Sequence, residues 1–326
     1  MPSDQPTLSV IVPCYNASGT VDIAIRSILQ QEMDDLEVVV VNDASTDDSK
    51  RILEYWAARD SRVRVHHATQ NMGIGDVRNL GTDLARGKFV GYVDADDWVT
   101  RSYYTSLVRA AESLDVDFVK SDHVRVTGLE RTVVAAPEVR RNVRLCPLDG
   151  IDDLSQATMV DYAFVWCGLY RRDAVVRHKL DFGNSLRTAE DRIFAWKAHL
   201  RCESFACVSE IGYLYRKDSS DSLTAVGDSR QLEFVRCIRE TFALLDEHKA
   251  SESIWNKSYR QALSLVVFHF DKRSRLGPDV WYQYKSICGD LIRSMDAEML
   301  NSILIDFGDR RSDIVRALRD GTADMA

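Results

Sequence analysis

The sequence predicts an α/β fold, a mostly parallel central sheet flanked by helices, followed by a helical C-terminal extension. Three observations predict it. Short apolar runs alternate with helix-period segments through the first hundred residues, the pattern of successive βαβ units. Three of those runs end in polar clusters, Pro13-Cys14-Tyr15-Asn16, Asn42-Asp43 and Asp94-Ala95-Asp96-Asp97. In a parallel sheet these ends share one edge, the edge where ligands bind. From about residue 228 onward the pattern is helical nearly throughout.

The elements follow in order. Leu8–Pro13 reads as a buried strand. Val21, Ala24, Ile25, Ile28 and Leu29 recur at helical spacing, with Ser18 or Thr20 as the cap. Leu36–Val41 is valine-rich and too short for a helix, hence a second buried strand. A polar turn, Asn42–Asp47, leads into a helix carrying Ile52, Leu53, Trp56 and Ala57. Val63–His67 reads as strand, Asp76–Ala85 as helix and Lys88–Val93 as strand. After about residue 127 the pattern changes: extended chain over Arg131–Leu145, a helix over Ile151–Val160, strand over Phe164–Tyr170 and a short helix over Asp173–His178. A helix opens at Thr188-Ala189-Glu190-Asp191, followed by two strands, Phe205–Ser209 and Gly212–Tyr215. The expected division is a catalytic domain over 1–227, with halves 1–126 and 127–227, and a helical region over 228–326, broken at Leu276-Gly277-Pro278.

Composition narrows the function classes. The chain has 326 residues, 45% of them apolar and 28% charged, and a net charge of -8. That acidic balance speaks against broad nucleic-acid binding. The seven cysteines form no C-x-x-C pair and read as free thiols of a reducing compartment. No apolar run is long enough for a membrane span. The expectation is a cytoplasmic protein, with peripheral contact at the inner face of the membrane left open.

Asp94-Ala95-Asp96-Asp97 is the strongest single feature. Three carboxylates within four residues repel one another unless a cation or solvent relieves them. Oxygen ligands at a strand end suit Mg²⁺ or Mn²⁺, although a solvated acidic turn capping a helix is the plain alternative. Asp43 sits where a carboxylate accepts a hydrogen bond from a base or ribose, while Ser45 or Thr46 would simply cap a helix. Asn71–Gly81 carries Gly73 and Gly75 but Arg78 where a dinucleotide fingerprint needs glycine, so that motif is not met. Arg78 near a helix start still suits a phosphate. Glu190-Asp191 at a helix start fits either a favourable dipole contact or a general base.

Taken together these segments resemble the family 2 glycosyltransferases, which have the glycosyltransferase-A (GT-A) fold with a Rossmann-like sheet. The matching runs are Leu8–Asn16, Val41–Asp47, Asn71–Gly81 and Val93–Asp97, in the family's order and spacing, with echoes near Phe164–Arg172, Thr188–Phe194 and Tyr213–Thr224. The resemblance implies that Pro13, Tyr15, Asn16 and Asp43 line the nucleotide pocket, and that Asn71, Gly73 and Arg78 also face the donor. It makes Asp94-Ala95-Asp96 the D-x-D motif, with Asp96 the direct ligand of Mn²⁺ or Mg²⁺ and Asp94 nearer the ribose or a metal-bound water. Asp191 would be the catalytic base, Glu190 its neighbour, and Ser222–Thr224 part of a loop over the diphosphate.

Three departures stand out. Relatives carry Asn-Lys between the tryptophan and the Leu-Tyr pair, but Trp166-Cys167-Gly168-Leu169-Tyr170 lacks both. Asp76-Val77 replaces small residues, and Ala189 replaces a glycine, the last expected to matter little.

The implied activity is transfer of a sugar from a nucleotide sugar, expected to be a UDP-sugar, to a hydroxyl acceptor with inversion, in polysaccharide, glycolipid or cell-envelope glycan synthesis. The alternatives are an inactive nucleotide-sugar-binding scaffold and a metal-dependent nucleotidyltransferase. The expected partners are the donor and a glycan or glycolipid acceptor. The stripe Ala262, Leu263, Val266, Val267 and Phe270 reads as a packed helix face, or alternatively as a homodimer contact or membrane platform beside Lys272-Arg273-Ser274-Arg275.

Overall fold

The computed structural model describes residues 5–151, 156–183, 185–217 and 227–323. Ser222–Thr224 lie outside the described residues.

Strands β1 (Leu8–Cys14) and β2 (Leu36–Asn42) are buried at every position, as expected of strands covered on both faces. They pair in parallel with each other, β2 pairs in parallel with β3 (Val63–His67), and β1 with β4 (Phe89–Tyr92). The connecting helices are α1 (Val21–Leu29), α2 (Ser49–Arg59) and α3 (Ile74–Leu84). Helix α1 buries Val21, Ala24, Ile25 and Ile28, the stripe read from the sequence. Thr20 occupies its cap position without a capping side-chain bond.

Beyond β4 the sheet becomes mixed. The order among the described residues is β3-β2-β1-β4-β8-β6-β9-β5, with β7 on β6. Strands β5 (Trp98–Val99), β6 (Phe118–Thr127), β7 (Glu130–Val134) and β8 (Gly168–Arg171) pair antiparallel with their neighbours, while β6 and β9 (Phe205–Arg216) run parallel. Helix α4 (Tyr103–Ser113) and the short α5 (Arg172–Arg177) pack in this half. The strand expected over Phe164–Tyr170 is confined to its end, because Cys167 N–H closes a turn on the Phe164 carbonyl. The two strands expected over 205–215 are one, β9, bent where its register against β6 shifts at Ser121–His123. In place of a helix over Ile151–Val160, the described residues show a 3-10 turn at Pro147–Gly150 and hydrogen-bonded turns at Thr158–Tyr162.

Helix α6 (Glu190–Arg201) precedes β9, and among the described residues five α-helices follow it: α7 (Glu233–Glu247), α8 (Glu252–Asp271), α9 (Pro278–Arg293), α10 (Ala297–Asp306) and α11 (Asp309–Asp320). Pro278 starts α9 at the predicted break, where its missing N–H costs nothing. These helices build their own apolar core, distinct from that of the sheet. Ala262, Leu263, Val266, Val267 and Phe270 all lie in that core. The dimer and membrane roles weighed for this stripe are therefore overturned: the chain itself covers it. A third, smaller cluster joins Ile193 and Trp196 of α6 to Cys237, Leu244 and Leu245 of α7. The helical region thus braces the helix that carries Glu190 and Asp191. No helix among the described residues is long and apolar enough to cross a membrane, and all seven cysteines are unpaired.

Candidate active site

The registers Cys14↔Asn42 and Ile11↔Tyr92 place the C-terminal ends of β1, β2 and β4 along one edge. The three polar clusters meet there, as the sequence predicts. The turns after β1 and β2 are tied together by short hydrogen bonds. Asn16, at φ +48°, accepts from Thr46 N–H at 2.8 Å and donates its own N–H to Ser45 Oγ at 3.0 Å. Asp47 accepts from Ser18 N–H at 2.9 Å. Pro13 is buried, whereas Tyr15 is 52% exposed and stands at the rim.

Asp43 is buried and both its carboxylate oxygens are engaged. Oδ1 accepts from Met72 N–H at 2.7 Å and Oδ2 from Gly73 N–H at 3.0 Å. Asn71 Nδ2 donates to the Asp43 carbonyl at 3.4 Å. Asp43 therefore fixes the entry to α3. Gly73, at φ +91°, occupies the cap position, where a side chain would meet Arg187 Cγ at 2.7 Å.

Helix α3 buries Arg78, expected from the sequence to face the donor. Its guanidinium instead bonds three carboxylates: Asp94 Oδ1 at 2.7 Å, Glu190 Oε1 at 2.7 Å and Asp191 Oδ1 at 2.6 Å. It lies 5.5 Å from the Phe182 ring centroid. Arg78 is 1% exposed, so a phosphate cannot reach it without breaking these pairs. Burial opposes its charge, but Asp94, Asp191 and Glu190 outweigh burial and hold the guanidinium well above its ordinary pKa. The next residue, Asn79, accepts from Phe182 N–H at 3.0 Å and donates to the Gly183 carbonyl at 3.2 Å. This arginine–asparagine pair joins the two halves of the sheet domain.

The acidic cluster divides into two jobs. Asp97 is buried; it accepts from Tyr213 Oη at 2.8 Å and from Arg216 N–H at 2.7 Å. It ties the turn to β9. Asp94 is held by Arg78 through Oδ1. No described side chain bonds the Asp96 carboxylate, and burial, then the Asp94 charge, push its pKa up to about 6. Ala95 is buried between them. No group of three His, Cys, Asp or Glu side chains among the described residues is arranged to hold a metal alone. A destabilised carboxylate beside a second one fits a Mg²⁺- or Mn²⁺-type ion that takes one or two protein carboxylates and completes its shell from phosphate and water.

Glu190 and Asp191 open α6. Burial, then the Asp191 charge, push Glu190 up to about 8. Burial raises Asp191 above its ordinary value, with Arg78 pulling the other way. A raised carboxyl accepts a proton more readily, the property a general base needs. Ala189 stands at φ +63°, a left-handed position that favours glycine. The substitution of glycine by alanine, expected to matter little, thus places Cβ at a strained point immediately before the acidic pair.

A family model described as "Glycosyl transferase family 2" matches residues 9–178. The chain belongs to glycosyltransferase family 2. It is 35% identical over 222 residues to the uncharacterized glycosyltransferase EpsJ of Bacillus subtilis, a match covering 68% of this chain and 64% of EpsJ. The chain thus spans somewhat less than two thirds of that relative's length. Among solved structures, the fold matches Staphylococcus aureus TarS 1–349 in complex with UDP-GlcNAc, with a TM-score of 0.73 at 21% identity over 98% of this chain and 88% of that one. It also matches the mannosyltransferase PcManGT of Pyrobaculum calidifontis in complex with GDP-Man and Mn²⁺, with a TM-score of 0.55 at 16% identity over the same shares. The fold is therefore that of the GT-A glycosyltransferases.

Tyr213 and Arg216 in β9, Asp97 as a brace, and Lys120 in β6 were not singled out by the sequence. A lysine directly after Phe118-Val119, at a strand position, is the signal that the sequence offers for Lys120.

Proposed function

We propose that this family 2 enzyme transfers a sugar from a UDP-sugar to a hydroxyl of a cell-envelope glycan, glycolipid or polysaccharide, with metal dependence and inversion. The observation that carries the reading is the Arg78 bridge. It brings Asp94, at the donor edge, to the same guanidinium as Asp191, on the helix that would face the acceptor. UDP is taken from the TarS complex, and the need for a divalent ion is supported by the PcManGT complex and by the state of Asp96.

In this reading Tyr15, Asn16, Asp43, Asn71 and Gly73 form the wall of the nucleotide pocket. Asp96, with Asp94 beside it, would hold Mn²⁺ or Mg²⁺. When bound, the ion supplies Lewis-acid neutralisation of the charge that develops on the departing nucleoside diphosphate. Asp191 accepts the acceptor's hydroxyl proton as the oxygen forms its bond to the anomeric carbon and the bond to the diphosphate oxygen breaks. One displacement inverts the configuration. The carboxylate leaves protonated and the diphosphate leaves with the bonding pair.

The test is nucleoside diphosphate release across a panel of nucleotide sugars, with Mn²⁺, Mg²⁺ or EDTA, for wild type and Asp96→Ala. Metal-dependent release from one donor, lost in the variant, is expected. Failure of every donor to bind with either ion would sink the metal–diphosphate reading. Retention of the donor's anomeric configuration, read by NMR of the product, would refute the single displacement.

A further inference from the structure

Lys120 is a buried cation that the proposed mechanism leaves unused. It is 4% exposed and sits in the middle of the sheet on β6. Its Nζ donates to the Phe164 carbonyl at 2.5 Å, reaches Tyr170 Oη at 3.5 Å and lies 5.7 Å from the Tyr162 ring centroid. No carboxylate of the described residues forms a salt bridge with it. A buried ammonium without an ion-pair partner is costly, and such groups cluster where chemistry needs them.

Lys120 and Gly168 are directly opposed in the antiparallel β6–β8 pair, and opposed residues project from the same face. A Cβ on Gly168 would come within 2.4 Å of the Val119 carbonyl oxygen and 3.2 Å of Lys120 Cδ. The Val119 carbonyl and the stem of Lys120 thus both pack directly on Gly168. A small pocket is lined by Lys120 and by the first turns of α6, with Asp191, Tyr162, Tyr170, Phe194 and His199 among its residues.

We propose that Lys120 is a positioning residue whose buried ammonium faces the Asp191 carboxylate from behind, across this pocket, and stabilises its charged form. The proposal rests on Asp191 being the base. Asp191 then lies between two cations, Arg78 from α3 and Lys120 from β6. Its other charged or titratable neighbours are Glu190 on its own helix, Asp94 from the end of β4, Tyr92 of β4 and Tyr170 of β8. Those facing Lys120 are Asp191, Tyr162, Tyr170, His199, Cys167 and Cys207, with His123 three residues along β6. Burial lowers the Lys120 pKa, and Asp191 raises it again. The reciprocal effect lowers that of Asp191.

The sign of the effect follows. Removing the ammonium raises the Asp191 pKa, so the acidic limb of kcat moves to higher pH. Lys120→Met keeps the volume and removes the charge. The expected result is a limb shifted upward by about one pH unit, with a kcat loss of about tenfold below the limb and an unchanged donor KM. Lys120→Arg, which keeps the charge, should hold the limb at the wild-type pH even if packing lowers kcat at every pH. A purely structural lysine would lower kcat evenly and leave the limb in place in both variants, and that outcome overturns the proposal. Should Lys120→Met fail to fold, Lys120→Gln, which also removes the charge, takes its place: a limb that stays at the wild-type pH in that variant overturns the proposal. Asp191→Asn separates the two readings. If it retains turnover, the base assignment fails; if it is inactive while Lys120→Met leaves the limb unmoved, only the role of Lys120 fails.

Discussion

At the scale of single residues, the site depends on one cation holding three anions. Arg78 has 2% side-chain exposure and bonds Asp94, Glu190 and Asp191. Removing one member of such a buried group leaves uncompensated charge, at a cost of about 3–5 kcal/mol. Arg78→Met should therefore lower unfolding stability by about that amount in a denaturant titration, besides abolishing turnover. Arg78→Lys keeps the charge but not the planar fork, so it should recover only part of both. A loss below about 1 kcal/mol in the methionine variant would show that the carboxylates do not depend on the arginine. The neighbouring aspartates should separate just as sharply. Asp97→Ala strips the acceptor from the buried Tyr213 hydroxyl and from the half-buried Arg216 N–H, and a buried donor left unpaired costs about 1–3 kcal/mol. Asp96→Ala removes a carboxylate that burial and Asp94 disfavour, so stability should hold or rise while metal-dependent turnover disappears. Thermal melts of the two variants without metal check this; equal destabilisation would mean that the acidic turn is one structural unit.

At the scale of elements, the same glycine-rich segment that opens α3 also sets how closely the two halves of the sheet domain approach. A Cβ on Gly75 would meet the Leu186 carbonyl oxygen at 2.7 Å and that of Phe182 at 3.4 Å. Both are backbone atoms, and Gly75 N–H itself bonds the Leu186 carbonyl at 3.2 Å. Gly75→Ala gains about 1 kcal/mol of helix propensity but forces a backbone shift costing about 1–3 kcal/mol. Net destabilisation and a fall in kcat are expected. Gly19→Ala, with nothing within 4 Å, serves as the control and should leave both unchanged. The parallel half of the sheet was legible because β1 and β2 are apolar runs with polar ends, and burial on both faces demands that pattern. Helix α4 carried a helical stripe in Tyr103, Tyr104, Leu107, Val108 and Ala111 that the reading passed over. Strand β9 reads as two because Ser209, Glu210 and Gly212 interrupt its apolar run where the register against β6 shifts. Asp94 lies 16 residues from Arg78, but its other two partners, Glu190 and Asp191, lie 112 and 113 residues away, and only the folded sheet brings them together.

At the scale of the whole molecule, the question is whether the helical region is a separate body or part of the enzyme. Two observations pull in opposite directions. Helices α8 to α11 enclose a core of their own, with Leu263, Val266, Tyr284, Leu291 and Val315 fully or almost fully buried, as an independent unit would. Yet α7 shares a second cluster with α6, in which Trp196 and Ile193 are 1% exposed and Leu245 is fully buried. Trp196 Nε1 also donates to Gln261 Oε1 of α8 at 2.9 Å. Helix α6 begins at Glu190 and Asp191, so its apolar flank depends on residues beyond 227. Exposing a tryptophan and an isoleucine from that flank forfeits about 1.5–3 kcal/mol per side chain, enough to loosen a helix whose first turn must hold two buried carboxylates. A chain ending at residue 227 should therefore bind an apolar dye and lose donor turnover. Leu245→Ala, in the intact chain, should cost about 2–5 kcal/mol and lower kcat without abolishing folding. A truncated chain that stays monomeric, melts cooperatively and keeps its turnover would show instead that the first 227 residues are self-sufficient, and that the contact of α6 with α7 is packing without consequence for the site.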